Sequence, residues 1–164
     1  MEVKKNIFIY SDKIKSGKTT KLFQWLAAQK NIAGILQPVI DGKRFFYSIV
    51  DKSIIQLEIS DEVKIGLEKN DLITIGNYNF LKSGFDKAKE ILLRDFSKDY
   101  HWLIIDEIGP LELNNSGLEP AISKIIKEKE NFKGNILVVV RDKLLDTVIK
   151  HYKLEEYELF SFPA

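Results

Sequence analysis

The sequence predicts an α/β fold: a mainly parallel sheet with helices on both faces and an antiparallel hairpin insertion. Three observations carry that expectation. The runs NIFIY, HWLIID and NILVVV are apolar almost throughout, as strands covered from two sides must be. Stretches with apolar residues at helical offsets separate them, the alternation that joins parallel strands by crossovers. Between the first and second runs an Asp41-Gly42 pair divides apolar and β-branched residues, a hairpin signal.

Taken in order, Asn6 to Tyr10 forms the first strand and feeds the segment SDKIKSGKTT. From Lys18 to about Lys30 the residues Leu22, Phe23, Leu26 and Ala27 make one helical stripe. Ile35 to Val50 reads as the hairpin, with Ser53 to Ile59 as a further strand, and this region is expected at an antiparallel edge or as an insertion. Helical spacing returns at Leu81, Phe85, Ala88, Leu92 and Phe96, followed by a buried strand from His101 to Asp106. A helix carrying Leu118, Ala121, Ile122, Ile125 and Ile126 leads to the strand Asn135 to Val140. The last helix shows Leu144, Leu145, Val148, Ile149 and Tyr152 on one face, and Glu158 to Phe162 is expected to close the sheet. Such sheets bind ligands at the carboxyl ends of their strands, which directs attention to Tyr10–Gly17, to Asp106 onward and to Arg141.

The 164 residues are expected to form one domain, 1–164, large enough to bury roughly 70% of the surface of the unfolded chain. With 25 basic against 24 acidic residues the chain has no field that implies a nucleic-acid or membrane partner, so a small ligand is the better expectation. No protein partner is indicated. The absence of cysteine excludes disulfides, thiolate zinc sites and cysteine nucleophiles. Met1 to Tyr10 does not read as a signal peptide, and the longest aliphatic stretch, Ile136 to Val140, is far below the roughly 20 residues of a bilayer span. Cytoplasmic residence is the default expectation.

Gly17, Lys18 and Thr19 fit the end of the phosphate-loop pattern G-x-x-x-x-G-K-[ST], after a strand and opening a helix. In that pattern backbone N–H groups face the phosphates, the lysine neutralises them and the threonine hydroxyl holds Mg²⁺. Lys13, Lys15, Ser16, Gly17, Lys18, Thr19 and Thr20 are therefore the candidate nucleotide ligands. The first glycine of the pattern is replaced by Asp12. If Asp12 and Lys15 adopt glycine-like conformations, each costs about 1–2 kcal/mol, enough together to move a micromolar site toward millimolar. Lys13 and Lys15 act in the other direction by adding positive charge, and Asp12 has the alternative of making local turn hydrogen bonds. The competing reading is a plain helix start capped by Ser16 or its neighbour.

In HWLIIDEIGPLEL an apolar strand runs into Asp106 and Glu107. A carboxylate at a strand end can hold Mg²⁺, and an adjacent one can orient or deprotonate a water attacking the terminal phosphate. Asp106, with Thr19, suits the metal and Glu107 suits the base. The alternative is a solvated acidic pair.

DEIGPLEL, Asp106 to Leu113, resembles the D-E-I-G-x-M-E-L signature of the small P-loop nucleoside-triphosphatases, the family of the human cancer-related nucleoside-triphosphatase and its thermophilic bacterial relatives. SGKTTKL, AGILQPVIDGKRFFYSIVD, IGNYNF and ILVVVRDKLLDTV are similar to further segments of that family in the same order. The resemblance implies a three-layer P-loop NTPase fold and Mg²⁺-dependent hydrolysis of ATP or another nucleoside triphosphate to diphosphate and phosphate. Family loops usually read G-x-x-G-x-G-K-T-T, so the Asp12 and Lys15 departures imply weak binding and turnover.

Arg141, one of three arginines with Arg44 and Arg94, follows a buried strand where its fork can steady a terminal phosphate, or where it simply solvates a helix start. Glu112 belongs to the resembling signature with no derived role, hydrogen bonding in the Gly109-Pro110 turn being equally compatible. Gln37 ends a strand and is a candidate for base or ribose contact. His101 and His151 lie far apart, which argues against a histidine metal site or a Ser-His-Asp triad. Trp25 and Trp102 are expected in the core, and Lys124, Lys127 and Lys129 on solvated helix faces. The leading expectation is nucleotide hydrolysis, with Glu107, Lys18 and Arg141 as catalytic groups. The alternatives are a non-catalytic nucleotide sensor or interaction module, and a small-molecule kinase with an acceptor pocket under Phe45 to Ile59.

Overall fold

The structure, a computed structural model, describes residues 6–13 and 17–163. Its strands are β1 (Ile7–Asp12), β2 (Ile32–Leu36), β3 (Val39–Ile40), β4 (Lys43–Ser48), β5 (Ser53–Gln56), β6 (Glu58–Ile59), β7 (Leu72–Ile75), β8 (Tyr78–Leu81), β9 (Trp102–Ile108), β10 (Asn135–Arg141) and β11 (Glu158–Leu159). The helices are α1 (Lys18–Ala27), α2 (Asp61–Lys64), α3 (Lys82–Phe96), α4 (Pro110–Leu113), α5 (Ala121–Lys127) and α6 (Leu145–His151). The main sheet has the order β11-β1-β10-β9-β2-β4-β3, with β5 also paired to β4. From β11 to β2 all neighbours are parallel, whereas β4 pairs antiparallel with β2, β3 and β5. This is the mainly parallel α/β sheet with an antiparallel hairpin that the sequence predicted.

Strand alternation sends residues to two faces. Ile7, Ile9, Ala33, Ile35, Leu103, Ile105, Ile136, Val138 and Val140 pack in one core with residues of α3, α5 and α6. Their neighbours Tyr10, Leu36, Ile104, Leu137 and Val139 pack on the other face with Leu22, Trp25 and Leu26 of α1 and with Phe160 and Phe162. Both faces are covered, so the central runs had to be continuously apolar. Trp25 and Trp102 meet edge to face at 5.2 Å in the second core.

The region after α1 differs from expectation in its division. β2 is a parallel neighbour of β9 as well as the antiparallel partner of β4, so it belongs to the main sheet, and the Asp41-Gly42 turn joins β3 to β4. Gly34 makes this possible: it has φ 109, and a Cβ there would run into the backbone of Ile104. Its N–H donates to the buried Asp95 carboxylate at 3.0 Å. The expected strand Ser53 to Ile59 breaks at Leu57, the residue between β5 and β6, whose side chain is buried in the main core. β6 joins β8 and β7 in a small antiparallel sheet that the sequence did not predict. α1 ends at Ala27, short of Lys30, and Asn31 follows in the left-handed region at φ 61.

Candidate functional site

Three adjacent parallel strands, β1, β10 and β9, end on one edge of the sheet and deliver the loop before α1, Arg141 and the acidic pair to the same place. They meet around a cavity of about 610 Å³ lined by Gly17, Lys18, Thr19, Thr20, Phe23, Gln37, Pro38, Val39, Gly42, Arg44, Glu58, Tyr78, Asp106, Glu107 and Arg141. The hairpin and the small sheet thus form its far wall.

Gly17 precedes α1 at φ 82, a left-handed conformation in which a side chain would be strained, and its carbonyl accepts the Lys21 N–H at 2.9 Å. Lys18 is buried, and its ammonium donates to the carbonyls of Lys13 at 2.7 Å and Asp12 at 3.4 Å. The lysine is thereby tied to the end of β1 and the residue after it. Asp12 takes the local turn alternative: its carboxylate accepts the Lys13 N–H at 2.8 Å, and also meets the Tyr10 hydroxyl at 3.2 Å and Lys21 at 3.4 Å. These bonds, the Lys13 N–H foremost, hold its carboxyl below the usual range. Asp12 is absent from the cavity lining. Lys13 is exposed and also outside the lining, contributing its carbonyl rather than its charge. Lys15 and Ser16 lie outside the described residues.

On the facing strand the register shifts: Val139 pairs with Asp106 but Val140 pairs with Ile108, so Glu107 is an extra residue. In a regular strand Asp106 and Glu107 would point to opposite faces; the bulge re-aims them, and both line the cavity. Asp106 Oδ2 accepts the Thr19 hydroxyl at 3.0 Å and the Gln37 N–H at 3.0 Å. Burial pushes its carboxyl up to about 6, the Gln37 N–H opposing this and the Glu107 charge adding to it. Glu107 Oε1 accepts Arg141 Nε at 3.2 Å, an ion pair between side chains that are 13% and 22% exposed. Among the described residues the two terminal nitrogens of Arg141 hydrogen-bond to nothing, so they remain open to another anion.

Gly17, Lys18, Thr19, Thr20, Asp106, Glu107 and Arg141 are thus brought together, and Gln37 joins them through its backbone. Arg44 and Tyr78 also line the cavity and were not singled out as ligands. Their only signals were a charged residue after a turn and an aromatic in a short segment, both too common to identify a site. Glu112 lies away from this cavity: buried, it accepts the N–H groups of Gly109 and Leu118 at 2.9 and 3.0 Å, within and just beyond the turn. His101 and His151 are both exposed, and among the described residues no three His, Asp or Glu side chains cluster as a metal site. A divalent ion here would depend on one carboxylate, one hydroxyl and the ligand's own oxygens, which is the usual way of Mg²⁺. Among the described residues no helix is long and apolar enough to cross a membrane.

No curated protein matches this chain. Among solved structures it is similar to THEP1 from the hyperthermophile Aquifex aeolicus, with a TM-score of 0.70 and 16% identity over 94% of this chain and 88% of that one. At that identity the likeness establishes the fold, the mainly parallel α/β sheet with helices, and nothing finer. A family model described as NTPase matches residues 7–162, almost the whole chain. The chain belongs to the NTPase family.

Proposed function

We propose that this chain binds a nucleoside triphosphate with Mg²⁺ and hydrolyses it to the diphosphate and phosphate. The observation that supports this best is the contact across the cavity from Thr19 to Asp106, 3.0 Å between a hydroxyl and a buried carboxylate oxygen, beside the buried Lys18. Two hard oxygen donors at that spacing fit Mg²⁺, which would neutralise phosphate charge there. Thr19 and Asp106 would hold the ion, while Gly17, Lys18 and Thr20, with Lys15 and Ser16 of the loop, would hold phosphates; Lys13, outside the cavity, holds the Lys18 ammonium through its carbonyl instead. On binding, Lys18 would exchange its loop carbonyls for phosphate oxygens. Glu107 orients the attacking water and takes its proton, and Arg141 offers its free nitrogens to the terminal phosphate.

One observation favours slow turnover. Glu107 and Arg141 are paired with each other, so a carboxylate oxygen that would take the proton of the attacking water is occupied by the guanidinium until the pair opens. If the pair persists with nucleotide bound, the chain is a sensor that binds and does not hydrolyse.

Phosphate release from several nucleoside triphosphates with Mg²⁺, measured beside nucleotide affinity, tests the assignment. Lys18→Ala is expected to lower both by about 10²-fold or more, and Glu107→Gln to lower release by about 10²-fold while leaving affinity. Equal release in parent and both variants removes the hydrolytic site, and binding without release by the parent selects the sensor.

A further inference from the structure

Beside the nucleotide cavity lies a second hollow of about 160 Å³, and Gln37, Arg44, Tyr78, Glu107 and Arg141 line both. The two spaces therefore join along the Glu107–Arg141 pair. The smaller one is floored by Phe46, Phe80, Phe85, Leu111 and Leu118, of which all but Leu111 are buried. Phe85 meets Phe46 and Phe80 edge to face at 5.5 and 6.1 Å, so the floor is a formed aromatic cluster. An apolar cavity of about 150 Å³ stays dry and accepts one benzene-sized ring. Ordered water needs two to four polar partners, and here the polar groups are those at the junction with the larger space and the Glu112 carboxylate, whose oxygens accept the Gly109 and Leu118 N–H groups.

Phosphoryl transfer brings the incoming oxygen to phosphorus roughly opposite the leaving oxygen. A triphosphate held at Gly17 to Thr20 as assigned above would turn its terminal phosphate toward Glu107 and Arg141, the pair that the aromatic hollow shares with the larger cavity. A group reaching out of that hollow past the pair would meet the terminal phosphate from the side of Glu107. Arg44, half-buried and with no side-chain hydrogen bond or ion pair among the described residues, adds a second guanidinium to this junction.

We propose that the aromatic hollow is an acceptor site for a single-ring organic alcohol, to which the chain transfers the γ-phosphoryl group in place of water. This rests on the nucleotide assignment above. The alcohol oxygen forms a bond to the γ-phosphorus as the bond from that phosphorus to the β,γ-bridging oxygen breaks. The electron pair of the broken bond leaves with the nucleoside diphosphate, and the hydroxyl proton passes to the Glu107 carboxylate. The products are a phosphate monoester and the diphosphate.

The test uses benzyl alcohol, 2-phenylethanol and 3-phenylpropanol, whose rings fit the hollow and whose stems span different reaches to Glu107. With nucleoside triphosphate and Mg²⁺, phosphorus NMR is expected to show the monoester of at least one alcohol, matched by the diphosphate and by an equal fall in free phosphate. Saturation-transfer NMR with a non-hydrolysable nucleotide analogue is expected to show alcohol and nucleotide bound together. Leu111→Trp, which fills the hollow from its partly exposed side, is expected to cut ester formation tenfold or more; the saturation-transfer result on the parent stands if that variant does not fold. Mutual exclusion of alcohol and nucleotide overturns the proposal by making the hollow the seat of the base. Nucleotide binding with phosphate release but no ester overturns transfer and leaves hydrolysis intact, whereas absence of nucleotide binding overturns both.

Discussion

Glu112 closes the start of α4 and the loop after it with one carboxylate, accepting N–H groups from Gly109 and Leu118. Those bonds favour the ionised form, but burial outweighs them and, with the nearby Glu119 charge, pushes the carboxyl up to about 7 from 4.5. Between those two values the folded chain binds more protons than the unfolded one, so this residue's contribution to stability falls as pH rises through the window and is flat above it. The shift corresponds to about 3 kcal/mol in all. Glu112→Gln cannot titrate and offers one carbonyl oxygen to two donors, so near pH 5 it is expected to be less stable than the parent by about 1 kcal/mol. As pH rises to 8 the variant gains on the parent by about 3 kcal/mol. Urea unfolding across pH 5 to 8 measures this, and a gap between parent and variant that does not change with pH refutes it.

The C-terminal segment braces the face of the sheet that carries the loop. Among the described residues α1 is the only helix contributing to that core, and β11 adds only two paired residues. Phe160 and Phe162 cover the rest: Phe162 meets Tyr10 at 4.7 Å, Phe160 meets Trp25 at 5.2 Å, and the Phe160 N–H donates to the Ile9 carbonyl at 2.8 Å. Replacing both phenylalanines by alanine is expected to cost about 2–4 kcal/mol, less than two full core deletions because both rings are half-buried. Tyr10 hydrogen-bonds Asp12 at the loop and Trp25 lies on α1, so nucleotide affinity is expected to fall as well, which titration beside urea unfolding resolves. Unchanged affinity in the destabilised variant means the brace does not position the loop. At this scale the sequence was legible where burial was two-sided: β1, β9 and β10 show as apolar runs, and α3, α5 and α6 as stripes. It was silent where short strands are half-exposed, as in β7 and β8, and misleading at β2, where the pairing depends on a close approach at Gly34 to a strand far away in the chain. The site followed the same division. Lys18, Thr19 and Asp106 carry a pattern, whereas the pairing of Glu107 with Arg141 and the approach of Arg44 and Tyr78 arise only when distant strands are laid side by side.

Across the whole molecule the candidate metal position is in tension with the stability of the fold. Asp106 is 2% exposed at the centre of the sheet edge, and burial raises its carboxyl from 3.8 to about 6, so at pH 7.5 the chain holds a charge that the unfolded state would solvate better. The upper bound on that penalty is about 3 kcal/mol. Both of its hydrogen bonds, from Thr19 and Gln37, land on Oδ2, which an asparagine oxygen can replace without leaving either donor orphaned. Asp106→Asn is therefore expected to raise the unfolding free energy at pH 7.5 in the absence of nucleotide by about 1–3 kcal/mol, the usual direction when a functional charge is removed from a buried place. Addition of Mg²⁺ and a non-hydrolysable triphosphate at about 100 times its Kd is expected to stabilise the parent by about 2.7 kcal/mol and the variant hardly at all. The order of stabilities would then narrow or reverse on ligand addition, because the charge that weakens the empty fold is the one the metal requires. Thermal and urea unfolding of both chains, with and without ligand, decide it: a variant less stable than the parent without nucleotide shows that Asp106 serves the fold rather than the site.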